Sequence, residues 1–375
     1  MAFAQYIESG GKRLRCGYTT GTCAALAAAG ATRLLLTGIP PDSLQLMTPR
    51  GFSVDVTPVQ CRRETDWAEC AVCKDGGDDI DATADALIFA RVLKTDTPGV
   101  HIDGGRGVGR VTRPGLDQPV GAAAINRVPR RMIGDAVAAV CNALGYGGGI
   151  SVVISVPAGA DIAEKTFNPK LGIQGGISIL GTSGIVEPMS VRALVDTKKL
   201  ELHQAALTSP ARVLLTPGNY GLDFLDSHPM GGDVPVVVCS NFIGDLLDAC
   251  GAEGFEEVLL VGHIGKLVKL AGGIFNTHSR VADCRTELFC AHAAVCGADA
   301  ALCRALLDAA TADACIELLQ KASLWEPVLT RLLTAIETHL LSRAAGQYAV
   351  GAVLFSNTYG RLGATKSAEE MLPWS

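Results

Sequence analysis

The chain changes its rhythm of apolar and polar positions halfway along. An alanine-rich run follows Gly17-Tyr18-Thr19-Thr20-Gly21-Thr22 and stops near Gly38. Threonine suits a helix N-cap and glycine a helix C-terminal stop, so this run predicts a helix. Its face of Ala24, Ala25, Ala28 and Ala31 is small enough for close packing. Leu87 to Ala90 reads as the apolar end of an element. Ile150 to Val156 is β-branched and mostly apolar, as a largely buried strand is. Gly172 to Gly184 is glycine-rich and uncharged, and reads as backbone lining a site.

In the second half, apolar runs end in polar or glycine turns and helical patterns follow. Val213-Leu214-Leu215 leads to Thr216-Pro217-Gly218-Asn219-Tyr220-Gly221, and Val234 to Val238 leads to Cys239-Ser240-Asn241. Val258 to Val261 leads to Gly262-His263-Ile264-Gly265-Lys266, and Val350 to Phe355 leads to Ser356-Asn357-Thr358. Strands alternating with helices predict a parallel sheet. Long helices are expected between the last two strands, one presenting Val281, Cys284, Leu288, Ala291 and Val295 on a single face. The fold class is therefore α/β. A mixed α+β domain is expected over 1–205, and a Rossmann-like α/β domain with a mainly parallel sheet over 206–375. There is no internal repeat and no low-complexity tract.

Composition removes several readings. The 375 residues are 48% hydrophobic and 19% charged, with a mean hydropathy of +0.29, which excludes a disordered chain. The longest charge-free stretch, 136–160, contains Asn142, Gly147-Gly148-Gly149 and Pro157. It predicts a helix, a turn and a strand instead of a membrane span. The first residues form no apolar export signal, so a soluble cytoplasmic protein is expected. A net charge of −6 argues against a general nucleic-acid footprint. Charge is nonetheless concentrated. Residues 101–134 hold six arginines against two aspartates, and 61–86 hold eight acids against three bases. The basic stretch suits either a bound polyanion or a solvated loop. The thirteen cysteines form no disulfide or metal pattern: Cys70-x-x-Cys73 has no matching partner pair, and Cys284, Cys290, Cys296 and Cys303 are too widely spaced. They read as small buried hydrophobes, with no metal site expected.

Ligands of a parallel sheet bind beyond the carboxyl ends of its strands. This places Gly218, Asn219, Tyr220, Gly221, Asn241, Gly262 and His263 on one rim. The turn is neither a dinucleotide fingerprint nor a P-loop. The other glycine run, Gly104 to Gly109, has the wrong spacing for a phosphate loop and reads as a mobile loop or hairpin. His263 and His278 sit in turn-like segments, where each suits acid–base work or backbone capping. Asp75, Asp78, Asp79 and Asp81 form an acidic turn, fit for a cation, an amine or plain solvation. The common hydrolase motifs are absent.

Several segments together resemble the CbiD family. They are Gly17-Tyr18-Thr19-Thr20-Gly21-Thr22-Cys23-Ala24-Ala25, Lys74-Asp75-Gly76-Gly77-Asp78-Asp79, Val111 to Leu116 with Pro119 to Arg130, Gly176 to Ser190, Pro217 to Gly221, and Gly262-His263-Ile264-Gly265-Lys266 through Gly272 to Ser279. These segments occur in order over residues 15 to 280. Residues 285–345 match poorly, and their cysteine-rich helices read as particular to this chain. The resemblance implies methyl transfer from S-adenosylmethionine to C-1 of a cobalt-containing tetrapyrrole, cobalt-precorrin-5B, giving cobalt-precorrin-6A in anaerobic cobalamin biosynthesis. The substrate carries many carboxylates, which the arginine-rich stretch suits. The expected substrate-binding residues are Arg15, Thr19, Thr20, Thr22, Asp78, Asp79, Arg113, Arg127, Arg130, Thr182 and Ser183, all in the first half. The strand-end rule puts the methyl donor on the second-half rim, at Gly218, Asn219, Tyr220, Gly221, Asn241 and Gly262. His263 and His278 are the candidates for moving a proton on the ring. A tightly bound metal, nucleic acid and membrane are not expected. Contact with neighbouring pathway enzymes and a homo-oligomer are both compatible with the sequence. The rival readings are a nicotinamide-dependent reductase of the same pathway and a non-enzymatic carrier of cobalt or corrinoid.

Overall fold

The computed structural model describes residues 3–9, 11–230 and 232–372. The chain divides into two compact units, Met1–Val191 and Arg192–Ser375. The boundary expected after residue 205 falls inside the helix Val191–Thr208. Val195, Leu202 and Ala205 of that helix pack into the core of the second unit, which is why the division comes earlier.

The first unit is built on a five-stranded mixed sheet. Its strands are β1 (Gln60–Arg63), β2 (Trp67–Cys73), β3 (Leu87–Thr95), β4 (Val100–Gly104) and β5 (Gly149–Ser155), in spatial order β1-β2-β3-β5-β4. Neighbours are antiparallel except β5 and β4. The alanine-rich run forms helix α1 (Thr20–Thr37), capped by the Thr19 hydroxyl and closed by Gly38 in the left-handed region. Its buried alanines let the backbone approach β2 and β3 closely, and α2 (Arg127–Ala143) packs on α1. The charge-free stretch 136–160 supplies the end of α2, a turn and β5. Among the described residues no helix is long and apolar enough to cross a membrane.

The glycine run 104–109 is not a mobile loop. Gly107–Val108 pairs in parallel with Gly176–Ile177, and Gly104, Gly107, Val108 and Gly109 are buried. A Cβ on Gly107 would overlap the Val156 carbonyl, and φ there is +73°. Only glycine lets these backbones touch.

The second unit has strands β6 (Arg212–Thr216), β7 (Val236–Val238), β8 (Glu257–His263), β9 (Ala349–Ser356) and β10 (Gly360–Ala364). Their order is β7-β6-β8-β9-β10, with all pairings parallel except β9 with β10. This is the 2-1-3-4-5 doubly wound order, distinct from the 3-2-1-4-5-6 order of dinucleotide-binding sheets. Alternate residues of the strands enter two cores. Val213, Leu215, Val258, Leu260, Val350 and Ala352 face one core; Leu214, Leu259, Val261, Val353 and Phe355 face the other. Both sheet faces are covered, so the strands read as continuous apolar runs instead of alternating.

One sequence expectation fails locally. The helix near residue 285 runs from Arg285 to Val295, so Val281 and Cys284 lie before its first turn. Its buried positions are Phe289 and Ala293, while Val281 and Val295 are exposed. Cys70 and Cys73 lie in one strand and do not converge, because residues three apart in a strand face opposite ways. Cys70 instead faces Cys61 across β1 and β2, with the sulfurs 2.7 Å apart. Cys16, Cys23, Cys70, Cys141, Cys239, Cys250 and Cys315 are buried; the other six are half-buried.

Candidate functional site

The carboxyl ends of β6 and β8 meet where the strand order of the second unit reverses, the position at which open α/β sheets bind ligands. β6 ends at Thr216, and Pro217-Gly218 turns into the helix Asn219–Ser227. A Cβ on Gly221 would overlap the buried Thr216 hydroxyl, and one on Gly262 would crowd Pro217 and Leu267. These glycines are therefore demanded by packing at the strand ends. Tyr220 is exposed, with its ring 6.3 Å from that of His263. Asn241 follows β7 and is tied to Thr277, which donates to its side-chain oxygen at 3.2 Å and to its carbonyl at 3.0 Å.

Both histidines cap backbone. His263 Nδ1 accepts from the Gly265 N–H at 3.1 Å, and His278 Nδ1 accepts from the Arg280 N–H at 3.1 Å. The alternative role foreseen for such turns is thus occupied at each. In a neutral ring this leaves Nε2 as the protonated nitrogen. His263 is half-buried and stands edge-on to Phe355, with centroids 5.6 Å apart. Burial lowers its pKa below the ordinary imidazole value, against an opposing pull from Asp313. Asp313 itself accepts from Ser356 and Thr358 at the end of β9. His278 is exposed.

In the first unit, most of the sequence-predicted residues converge on one node. Residues 15–22, 75–79 and 180–184 are stitched together by backbone. Tyr18 N–H donates to Asp75, Asp78 N–H to Arg15, Gly21 N–H to Leu180, and Thr19 N–H to Gly184. A Cβ on Gly17 would overlap the backbone at Asp75, and one on Gly77 the backbone at Arg15. The node's side chains are largely turned inward. Thr20 donates to the Leu180 carbonyl and accepts from the Leu180 N–H; Thr22 donates to Gly184 at 2.7 Å; Thr19 caps α1. Arg15 makes a two-pronged pair with Asp75, at 2.5 and 2.8 Å. Asp78 accepts from the Arg15 N–H, and Asp79 from the Met189 N–H. Ser183 closes a turn onto Ile185, while Thr182 is exposed and Leu180 half-exposed. Burial raises the Asp75 carboxyl, but Arg15 and the Gly77 N–H outweigh it and hold the group below its ordinary range.

The arginines divide sharply. Arg130 donates to the carbonyls of Ile125, Ile102 and Ala123, and burial lowers its pKa. Arg110 pairs with Asp103. Arg127 lies 3.5 Å from Asp117 with its side chain 86% exposed. Arg106, Arg113 and Arg131 are exposed, and among the described residues they make no ion pair. Segment 125–126 is bonded to Ile179, and Gly21 packs against Pro129, so the starts of α1 and α2 flank the 180–184 loop. A cavity of about 200 Å³ lies beside Tyr18, Cys73 and Asp75. It is smaller than the usual enclosed site for a drug-sized ligand.

Sequence reasoning missed two kinds of residue. Lys74, 2% exposed, pairs with Asp81 at 2.5 Å and fixes the acidic turn. Lys266 reaches from beyond β8 to the Pro217 carbonyl, 2.6 Å away. Periodicity gives neither away, because a lone lysine beside an apolar run looks like any solvated one. Among the described residues no three acidic, histidine or cysteine side chains are grouped to hold a metal ion.

Comparison with known proteins places this geometry. The chain is 44% identical over 354 residues to the cobalt-precorrin-5B C(1)-methyltransferase of Ruminiclostridium cellulolyticum, covering 94% of this chain and 92% of that one. It is 42% identical to the enzyme of the same name from Alkaliphilus metalliredigens, covering 98% and 97%. A crystal structure of the cobalamin biosynthesis protein CbiD from Archaeoglobus fulgidus is 31% identical, covering 75% of this chain and 87% of that one, with a TM-score of 0.40. Residues 7–188 match the CbiD family, and residues 276–366 match the C-terminal domain of CbiD. The helices of 285–345 are thus part of a family domain, a correction to their reading as particular to this chain. Over both units, the chain belongs to the CbiD family.

Proposed function

We infer that this chain transfers a methyl group to C-1 of cobalt-precorrin-5B in cobalamin biosynthesis. One observation carries the reading: identity above 40%, sustained over more than nine-tenths of both chains, with relatives named for that reaction. Neither a reductase nor a carrier is favoured by those relatives. S-adenosylmethionine, the donor, supplies an electrophilic methyl group on a sulfonium. No protein nucleophile is needed, so the chain's work is alignment, charge neutralisation and exclusion of water.

We assign the tetrapyrrole to the first unit and the donor to the rim of β6 and β8 in the second. Supporting the first assignment are exposed Arg106, Arg113 and Arg131, which make no ion pair among the described residues, with Arg127 only loosely paired, and an uncharged loop of the same unit whose Leu180 and Thr182 face solvent. These guanidinium groups suit the peripheral carboxylates. Arg15, Thr19, Thr20, Thr22, Asp78, Asp79, Ser183 and Arg130 act one step back, by holding that loop and the helix starts in place. Supporting the second assignment is the reversal of strand order between β6 and β8, where Gly218, Asn219, Tyr220, Gly221, Gly262 and His263 gather. His263, kept neutral by burial, puts no positive charge beside a sulfonium and offers an Nε2 proton at the rim. His278 remains the second candidate for proton movement, from its exposed turn.

The test is incubation with methyl-labelled S-adenosylmethionine and cobalt-precorrin-5B. Label at C-1 of the product is expected. No transfer, even with the neighbouring pathway enzymes present, overturns the reading.

A further inference from the structure

Four lysines, Lys74, Lys198, Lys266 and Lys269, are withdrawn from solvent, and they are not equivalent: Lys198 is paired with Glu201 at 2.9 Å. Lys74 is held by Asp81, and Lys269 by two carbonyls and Asp283. Lys266 has no carboxylate within 4 Å among the described residues. Its Nζ donates to one protein acceptor, the Pro217 carbonyl. An ammonium has three N–H donors, and a half-desolvated cation without a counter-charge is costly to keep. Burial and the nearby Lys269 both lower its pKa, while Cys239 opposes them.

Its position is as informative as its lack of a partner. Lys266 follows β8 and bonds the residue just past β6, so it spans the two strand ends between which the sheet order reverses. A Cβ on Gly218 would lie 3.8 Å from Nζ, so the ammonium lines the glycine turn itself. Tyr220, exposed, and His263, half-buried over the core residue Phe355, belong to the same rim. The rim therefore offers one cation, beside Gly218, together with the exposed Tyr220 ring and the His263 imidazole.

We propose that Lys266 is the anchor for the carboxylate of the methyl donor's amino-acid moiety. This rests on placing the donor at the β6–β8 rim. It also fixes the donor's direction. A sulfonium is repelled by Lys266 and is favoured against the exposed Tyr220 ring, whose face attracts a cation. The lysine thus positions the donor through one charge and steers the other away.

The test uses the full-length protein and calorimetric titration, with and without cobalt-precorrin-5B. The ligands are S-adenosylmethionine and decarboxylated S-adenosylmethionine, which lacks only the carboxylate. Lys266→Met is expected to weaken the first by about 10- to 100-fold, as loss of a charge-assisted pair does. The second should change by less than about twofold, and Lys266→Arg should recover part of the loss. Thermal melts accompany each variant, because the bond to Pro217 is lost as well. Equal weakening of both ligands would make Lys266 a structural brace and overturn the proposal, as would no weakening of either. If the wild-type protein bound the two ligands equally, the carboxylate would have no anchor and the proposal would also fall. If the wild-type protein bound neither, with or without cobalt-precorrin-5B, the reading of the chain as a user of this methyl donor would fall and the proposal with it.

Discussion

Two arginines of one basic stretch, Arg113 and Arg130, show how burial separates residue roles. Arg130 satisfies three backbone carbonyls, so Arg130→Ala leaves acceptors unpaired. A loss of about 2–3 kcal/mol in urea-induced unfolding is expected. Arg113 is exposed and unpaired, so Arg113→Ala should leave stability within about 0.5 kcal/mol while raising KM for the tetrapyrrole roughly tenfold. Steady-state kinetics beside the melt separates the two; an unchanged KM would remove Arg113 from the substrate site. His263 is tested in the same way. Asparagine can replace the imidazole as a cap, so His263→Asn should keep the melting temperature. A fall in kcat of about 10- to 100-fold is expected if the imidazole moves a proton. Unchanged kcat would confine His263 to capping. In the sequence these residues were legible as candidates but not as roles. Which arginine is tied down depends on carbonyls of residues 102 and 123–125, contributed by other segments of the fold.

The acidic turn shows what a short element owes to its surroundings. Read alone it suits a cation, but its carboxylates are already engaged: Asp75 by Arg15, Asp81 by buried Lys74, and Asp78 and Asp79 by the backbone N–H groups of Arg15 and Met189. Burial pushes the Asp81 carboxyl up, but Lys74 and Thr83 outweigh it, so like Asp75 it is held below its ordinary range. The stabilisation is fully present above the unfolded carboxylate value of about 4 and is lost as pH falls from there through the folded values. Melting followed from pH 7 to pH 3 should therefore decline most steeply below about pH 5. Asp81→Asn should reduce that decline and, by leaving Lys74 buried without a counter-charge, cost about 3–5 kcal/mol at pH 7. A variant as stable as the wild type would show that Lys74 finds another partner. The helix α1 was legible because caps and an alanine face are local signals. The helix at 285–295 was misjudged because its start is set by Cys284 taking a left-handed conformation, which an apolar spacing does not reveal.

At the scale of the molecule, each unit carries its own core and its own candidate ligand. The assignment predicts a pattern of hydrogen exchange. S-adenosylmethionine should slow exchange at 216–221 and 262–266, and cobalt-precorrin-5B at 176–184 and around 127–131. Protection by the donor confined to the first unit would reverse the assignment. The parallel sheet was visible in four apolar runs, each closed by a glycine or polar turn, because strands buried on both faces leave a continuous apolar signature. Its order was not visible, since crossovers of similar length serve either side of a strand.

The sequence by itself determined the local grammar: capped α1, the buried β5 and β6–β9 runs, and a set of motifs specific enough to identify the family. These depend on neighbours within a few residues or on the motif string. Only the tertiary structure decided where charge is free. It tied Arg15 and Arg130 down, left Arg113 and Arg131 open, turned the Thr19–Thr22 hydroxyls inward, and set Lys266 without a counter-charge between two strand ends. Whether a charge is matched is settled by groups distant in sequence and adjacent in space, and spacing along one chain does not record them.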